Sequence, residues 1–94
     1  MLELGRNSEA LKACEKAIAV DSLNHNAYTN IGCAYTNLKQ YEKALKYLNK
    51  ATELDSTDYY PVYIIGVTYN LMGDSKKSFM YLEKAGRIQK KNHL

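Results

Sequence analysis

Between Ala27 and Asp55 the apolar residues fall into two periodic sets. Tyr28, Ile31, Tyr35 and Leu38 follow one another at steps of three, four and three, the spacing of one helix face. Tyr41, Ala44, Leu45, Leu48, Ala51 and Leu54 mark a second face. Glu42, Lys43, Lys46, Asn49, Lys50 and Glu53 form its wet side. Glu42 precedes Lys46 by one helical turn, with the acid first, which adds weak support for a helix. Gly32 lies inside the first set, where glycine costs about 1 kcal/mol relative to alanine. Its presence there predicts the close approach of another backbone. The connection at Lys39 and Gln40 is too short for anything but an antiparallel return.

The same pattern recurs at a step of 34 residues. Gly32 falls on Gly66 and Tyr35 on Tyr69. Ala17, Ala51 and Ala85 superimpose, as do Lys16, Lys50 and Lys84. Ala10, Ala44 and Ser78 stay small, and Leu4, Leu38 and Met72 stay apolar. Gly5 and Gly73 match Lys39 at the helix connection. A helix–turn–helix unit at such a period predicts an array whose units bury their faces by stacking. In that register residues 1–4 are the tail of a helix that Gly5 breaks, and Asn7 or Ser8 caps the next one. That next helix runs to Val20 with a core face of Ala10, Leu11, Cys14, Ala17 and Ile18. Asp21 to Asn26 reads as a loop. Pro61 fits the first turn of a fourth helix that reaches about Met72. A fifth runs from about Ser75 to about Arg87 or beyond, and Gln89 to Leu94 is expected to fray.

These residues together resemble the tetratricopeptide repeat family, over essentially the whole chain. The central copy carries Tyr28, Ile31, Gly32, Tyr35, Tyr41, Ala44, Leu48 and Ala51 of its pattern. The next carries Val62, Ile65, Gly66, Tyr69, Gly73, Leu82 and Ala85. Ser22, Ser56 and Lys90 stand where the family has a proline, and Val62 and Ser78 where it has an aromatic residue and an alanine. These departures are expected to loosen repeat packing. The resemblance implies an all-α, right-handed superhelical array of antiparallel helix pairs, an alpha-alpha solenoid of five helices. It forms a single domain, with a partial repeat over 1–24, full repeats over 25–58 and 59–92, and a tail at 93–94.

The composition narrows the setting. Ninety-four residues suit one small domain, and 46% hydrophobic content is ordinary for a globular chain. No apolar run is long enough to cross a membrane, and the first residues lack the apolar core of a signal peptide. A cytoplasmic location, with Cys14 and Cys33 reduced, is the expectation. Both ends interrupt the repeat. That points to a fragment of a longer array, or to a chain that hides its ends by self-association.

No residue set predicts catalysis. His25 and His93 stand apart, which argues against a metal site, and no glycine loop suits a phosphate. Cys14 falls on a core position, and Cys33 reads as a neutral inner-surface residue rather than a reactive thiol. No enzyme activity and no cofactor are expected. Charge is uneven: residues 59–94 hold six Lys/Arg against two acids, residues 25–58 four against four, and residues 1–24 three against four.

In the family, first helices line a concave face that holds peptides or partner helices. The resemblance implies that Asn26, Thr29, Asn30, Cys33, Thr36 and Asn37 point inward in the central repeat. Tyr60, Tyr63, Ile64, Val67, Asn70 and Leu71 do so in the next. One flank then offers amides and hydroxyls, the other tyrosines and aliphatics, and neither is charged. A family subgroup grips carboxylate tails with lysine, asparagine and arginine. Asn30 matches its asparagine, but Tyr60 and Ile64 stand where the cations belong, so carboxylate-tail binding is not expected. The expected partner is a protein or peptide. A homo-oligomer through the uncovered ends is the alternative. RNA binding through the basic last helix ranks below both, because the groove lacks cations interleaved with its aromatics.

Overall fold

The computed structural model describes the backbone of residues 2–92 and the side chains of residues 8–92. Among these residues the chain forms five α-helices and no strand: α1 (Leu2–Val20), α2 (His25–Asn37), α3 (Tyr41–Leu54), α4 (Tyr59–Leu71) and α5 (Ser75–Asn92). Each helix packs on the next, and α2 also touches α4. The array is therefore built from neighbouring contacts, as the 34-residue step predicts.

Local chemistry sets the boundaries. The Asn24 side chain accepts the Ala27 N–H at 3.2 Å, so α2 begins at His25, inside the segment expected to be loop. The Asp58 carboxylate accepts the Tyr60 N–H at 3.0 Å and caps α4 ahead of Pro61. The Asp74 carboxylate accepts the Lys77 N–H at 3.0 Å. The two tight turns place Lys39 at φ 64° and Gly73 at φ 87°, the left-handed conformation that ends a helix. Lys39 holds this conformation without glycine's freedom.

Two expectations at the ends are corrected. Gly5 does not break a helix, and neither Asn7 nor Ser8 caps one, because α1 runs continuously from Leu2 to Val20. A glycine inside a helix carries only about a 1 kcal/mol penalty, and among the described residues α1 packs on α2 alone. For the same reason Ala10, expected in the core, is exposed, and Val20 is 90% exposed. At the other end α5 continues through Asn92, where fraying was expected. The Asn92 side-chain amide donates to the Thr57 carbonyl at 2.8 Å and ties the end of α5 to the α3–α4 connection. The tail at His93 and Leu94 lies outside the described residues.

The core has two centres. Cys14, Ala27 and Ile31 join α1 to α2, with Leu11, Ala17, Ile18, Tyr35 and Tyr47 packed around them. Ala44, Leu48 and Ile65 join α3 to α4, with Tyr35, Leu45, Ile64, Tyr69 and Tyr81 around them. Val62 and Ser78, two of the departures from the family pattern, are both buried. Between the helices of each pair a cassette repeats. Tyr35 stacks on Tyr47 at 5.7 Å with Lys43 over the Tyr35 ring at 5.5 Å. Tyr69 stacks on Tyr81 at 5.5 Å with Lys77 over the Tyr69 ring at 5.3 Å. Such stacked rings add about 0.5–1.5 kcal/mol beyond the area they bury.

A polar contact joins the first helices. The Thr68 hydroxyl donates to the Ile64 carbonyl at 2.8 Å. Its single proton is thus committed, so the Thr36 hydroxyl is the donor in the buried 2.9 Å contact between Thr36 Oγ1 and Thr68 Oγ1. Thr68→Val strands the Thr36 hydroxyl in the interior and is expected to destabilise by about 1–2 kcal/mol. Adding Thr36→Val should recover part of that loss in urea unfolding. A double variant no more stable than Thr68→Val alone would remove the contact from the account.

The α3–α4 connection is organised by Asp55. Its carboxylate accepts the Thr57 hydroxyl at 2.6 Å and the Thr57 N–H at 2.9 Å. These bonds, with a smaller contribution from His25, hold its pKa below the ordinary 3.8. His25 Nε2 lies 3.5 Å from Asp55 Oδ2 and 3.6 Å from Asp58 Oδ2, which brings the start of α2 against this loop. A depressed folded pKa means that the Asp55 contribution is complete above the unfolded value and is lost as pH falls through the folded one. An NMR pH titration should show the Thr57 amide shifting with a midpoint below the ordinary carboxylate value of 3.8. A midpoint above that value would contradict the hydrogen-bonded arrangement.

Candidate functional site

The helix period sorts each first helix into strips. On α2, Asn26, Asn30, Cys33 and Asn37 share one strip, and on α4 Tyr60, Ile64, Val67 and Leu71 share its equivalent. The contact between α2 and α4 brings the two strips side by side. A cleft of about 230 Å³ lies between them, lined by Cys33, Thr36, Asn37, Tyr60, Ile64, Val67 and Leu71. Seven of the twelve residues expected to line the concave face therefore meet in one groove. Asn26 and Asn30 lie exposed on the same strip of α2.

Three residues depart from the expected arrangement. Thr29 is only 3% exposed, and its hydroxyl donates to the His25 carbonyl at 3.1 Å, so it offers nothing to a partner. It lies two turns before Thr36 on the edge of α2 that α4 covers, which is why both threonines are buried. Tyr63 and Asn70 occupy the equivalent edge of α4, where no further helix lies among the described residues, and both are exposed. Tyr63 turns away from the cleft and stacks with Tyr60 at 6.5 Å. It helps to line a second depression, between α4 and α5.

The groove residues are chemically quiet. Burial pushes the Cys33 thiol up, and the Tyr60 hydroxyl bonded to it only partly opposes this. The Cys33 sulfur in turn pushes the Tyr60 hydroxyl up. Burial also raises the Cys14 thiol in the α1–α2 core. Neither sulfur is poised as a thiolate nucleophile. No group of three His, Cys, Asp or Glu among the described residues is placed to hold a metal ion. No described helix is long and apolar enough to cross a membrane. What the cleft offers is shape, one amide-bearing wall and one apolar, tyrosine-edged wall, and no charged lining residue.

Sequence reasoning missed the stacked cassette, although Tyr47 and Tyr81 stand one 34-residue step apart and carry that signal. It also missed the Thr36–Thr68 contact. That contact joins residues 32 apart, off the repeat step, so sliding the sequence on itself cannot find it.

A stacked array of antiparallel helix pairs with an uncharged groove along its first helices is a helical-repeat fold. Residues 25–58 match the family model of the tetratricopeptide repeat, and this segment is such a repeat. The fold is shared with crystal structures of MamA. One superimposes with a TM-score of 0.84 at 23% identity, over 94% of this chain and 52% of MamA. A second does so at 0.81 and 23% identity, over 93% and 48%. A third MamA structure (MSR-1) gives 0.84 at 20% identity, over 93% and 50%. The chain thus spans about half the length of these structures, and the likeness is one of fold. No curated protein sequence matches it.

Proposed function

We propose that this chain is a scaffold module that holds an extended peptide or a partner helix in the α2–α4 groove, with no chemistry of its own. It comprises a partial repeat over 1–24 and full repeats over 25–58 and 59–92. The observation that carries the reading is the pairing of two unlike walls across one cleft. Asn30 and Asn37 supply donors and acceptors for a peptide backbone, and Ile64, Val67 and Leu71 give apolar area for its side chains. Leu71 is 53% exposed, more than packing within the chain requires of a leucine. Two free cysteines suit a reducing, cytoplasmic setting.

The reading is tested with peptides selected from a random library against the intact chain. Leu71→Asp changes an exposed position and leaves the core untouched. It should weaken selected peptides at least about tenfold while helicity and the unfolding midpoint stay the same. Asn30→Ala should weaken them by about three- to tenfold, the worth of a hydrogen bond. Selected peptides that bind both variants as well as the parent would refute the groove as the binding surface.

A further inference from the structure

The two helices that wall the α2–α4 groove carry no formal charge. Each is 13 residues long, and neither contains a Lys, Arg, Asp or Glu. By contrast α3 alone carries Glu42, Lys43, Lys46, Lys50 and Glu53. Burial does not account for the difference. Asn26, Asn30, Asn37, Tyr60 and Leu71 are exposed, and exposed helix positions are where charge ordinarily collects. His25, the imidazole at the start of α2, lies against Asp55 and Asp58. Both walls belong to the described chain and touch each other, so the groove is formed whatever flanks the array.

This neutrality has a consequence for a ligand. A charged side chain entering the groove gives up water and meets no opposite charge there, and the cost falls on both signs alike. The two walls also differ in what they can recognise. Asn26, Asn30 and Asn37 present exposed amides along α2. An amide is of use to a backbone whose own N–H and C=O groups are free. A helix has already paired these groups within itself, whereas an extended strand leaves a row of them along its edge. On the other wall the positions from Tyr60 through Ile64 and Val67 to Leu71 cover about 16 Å of helix axis. An extended chain spans that length in about five residues, and its side chains on one face stand about 6.7 Å apart. Three alternate side chains therefore fit along α4 while the strand edge faces the amides of α2.

We propose that the groove selects an extended, uncharged stretch of about five residues with apolar side chains at alternate positions, and that it rejects charged stretches of either sign and preformed helices. The inference rests on the reading of the groove as the binding surface and adds the chemistry of the segment it takes. The amide wall chooses the extended backbone, the apolar wall chooses the side chains, and the missing counter-charges exclude acids and bases.

The test is selection of peptides from a random library on the intact chain, followed by fluorescence anisotropy of a selected peptide. The selected sequences should share a window of about five residues with an apolar side chain at every second position and no Asp, Glu, Lys or Arg. Replacing the central apolar residue of that window by Asp, or by Lys, should weaken binding at least about tenfold in each case. Raised salt should leave the parent affinity within about twofold, since no ion pair forms. Proline scanned through the window should be tolerated at alternate positions, where the N–H points away from α2; a helical ligand would lose binding throughout its interior. Leu71→Lys alters an exposed position and supplies the missing charge. On that variant the Asp peptide should bind at least about tenfold more tightly than the Lys peptide. Peptides that bind Leu71→Asp as well as the parent refute the groove, and this inference with it. Peptides that are lost on Leu71→Asp, yet carry a charge inside the window or apolar residues at helical spacing, leave the groove standing and overturn this inference alone. Equal binding of the Asp and Lys peptides to Leu71→Lys overturns it as well.

Discussion

Leu48→Ala is expected to destabilise the protein by about 3–4 kcal/mol, within the range for emptying a fully enclosed leucine site. Leu48 is 0% exposed and is held between Gly32 of its own pair and Ile65 of the next. Native domains of this size hold about 5–15 kcal/mol in total, so this one change takes a large share. Leu82 occupies the same position one step later and also packs on a glycine, Gly66, but 38% of it is in water. Leu82→Ala should therefore cost about 1–2 kcal/mol, since less apolar area is recovered by folding and no closed cavity is left. Urea unfolding of the two variants side by side separates them. Equal losses would mean that α4 adds nothing to the enclosure of Leu48, and the stacking account of the array would fail.

Gly32→Leu is the second large effect, at about 3 kcal/mol, the upper end of the overpacking range. A Cβ at Gly32 would already lie 2.5 Å from Leu48 Cγ and 3.3 Å from the Ala44 carbonyl oxygen. Leu48 is enclosed on all sides, so it has no room to retreat. Gly32→Ala alone should cost about 1–2 kcal/mol, after about 1 kcal/mol is returned by alanine's better helix propensity. A Cβ at Gly66 meets the Leu82 side chain at 2.8 Å and the Leu82 backbone nitrogen at 3.1 Å; that side chain can swing toward solvent, but the backbone cannot. Gly66→Ala should then cost less than Gly32→Ala. The two glycines look identical in the sequence, and only the helix beyond Leu48 distinguishes them. Thermal unfolding that ranks the two alanine variants the other way would show that the close approach at Gly32 is not what fixes glycine there.

The fold was legible in the sequence because stacking forces one chemistry to repeat at one spacing. Tyr35 with Tyr69, Gly32 with Gly66 and Ala51 with Ala85 carry the array and the helix connections. The readings that failed are those in which a position's role depends on what lies next to it and not on its own repeat. Thr29 and Tyr63 share a register position, so the family pattern assigns both to the concave face. In the fold one is buried beside α4 and the other faces open space. Ala10 matches the buried Ala44, but among the described residues no helix packs on α1 on that side. Gly5 matches the turn residues Lys39 and Gly73, yet a turn forms only where a following helix can pack back. Most of the groove was readable from periodicity, through Cys33, Asn37, Tyr60, Ile64, Val67 and Leu71. What was not readable was its edge, which depends on the helix lying beside it, as α4 lies beside α2.

The central claim is that partners bind between the two first helices. Its most direct test is the amide NMR spectrum of the intact chain titrated with a library-selected peptide. The account predicts that the largest shifts cluster on Cys33, Asn37, Tyr60, Ile64, Val67 and Leu71, with Asn30 at their margin. Shifts concentrated instead on the opposite depression, around Tyr28, Lys46, Tyr47 and Lys50, would contradict it.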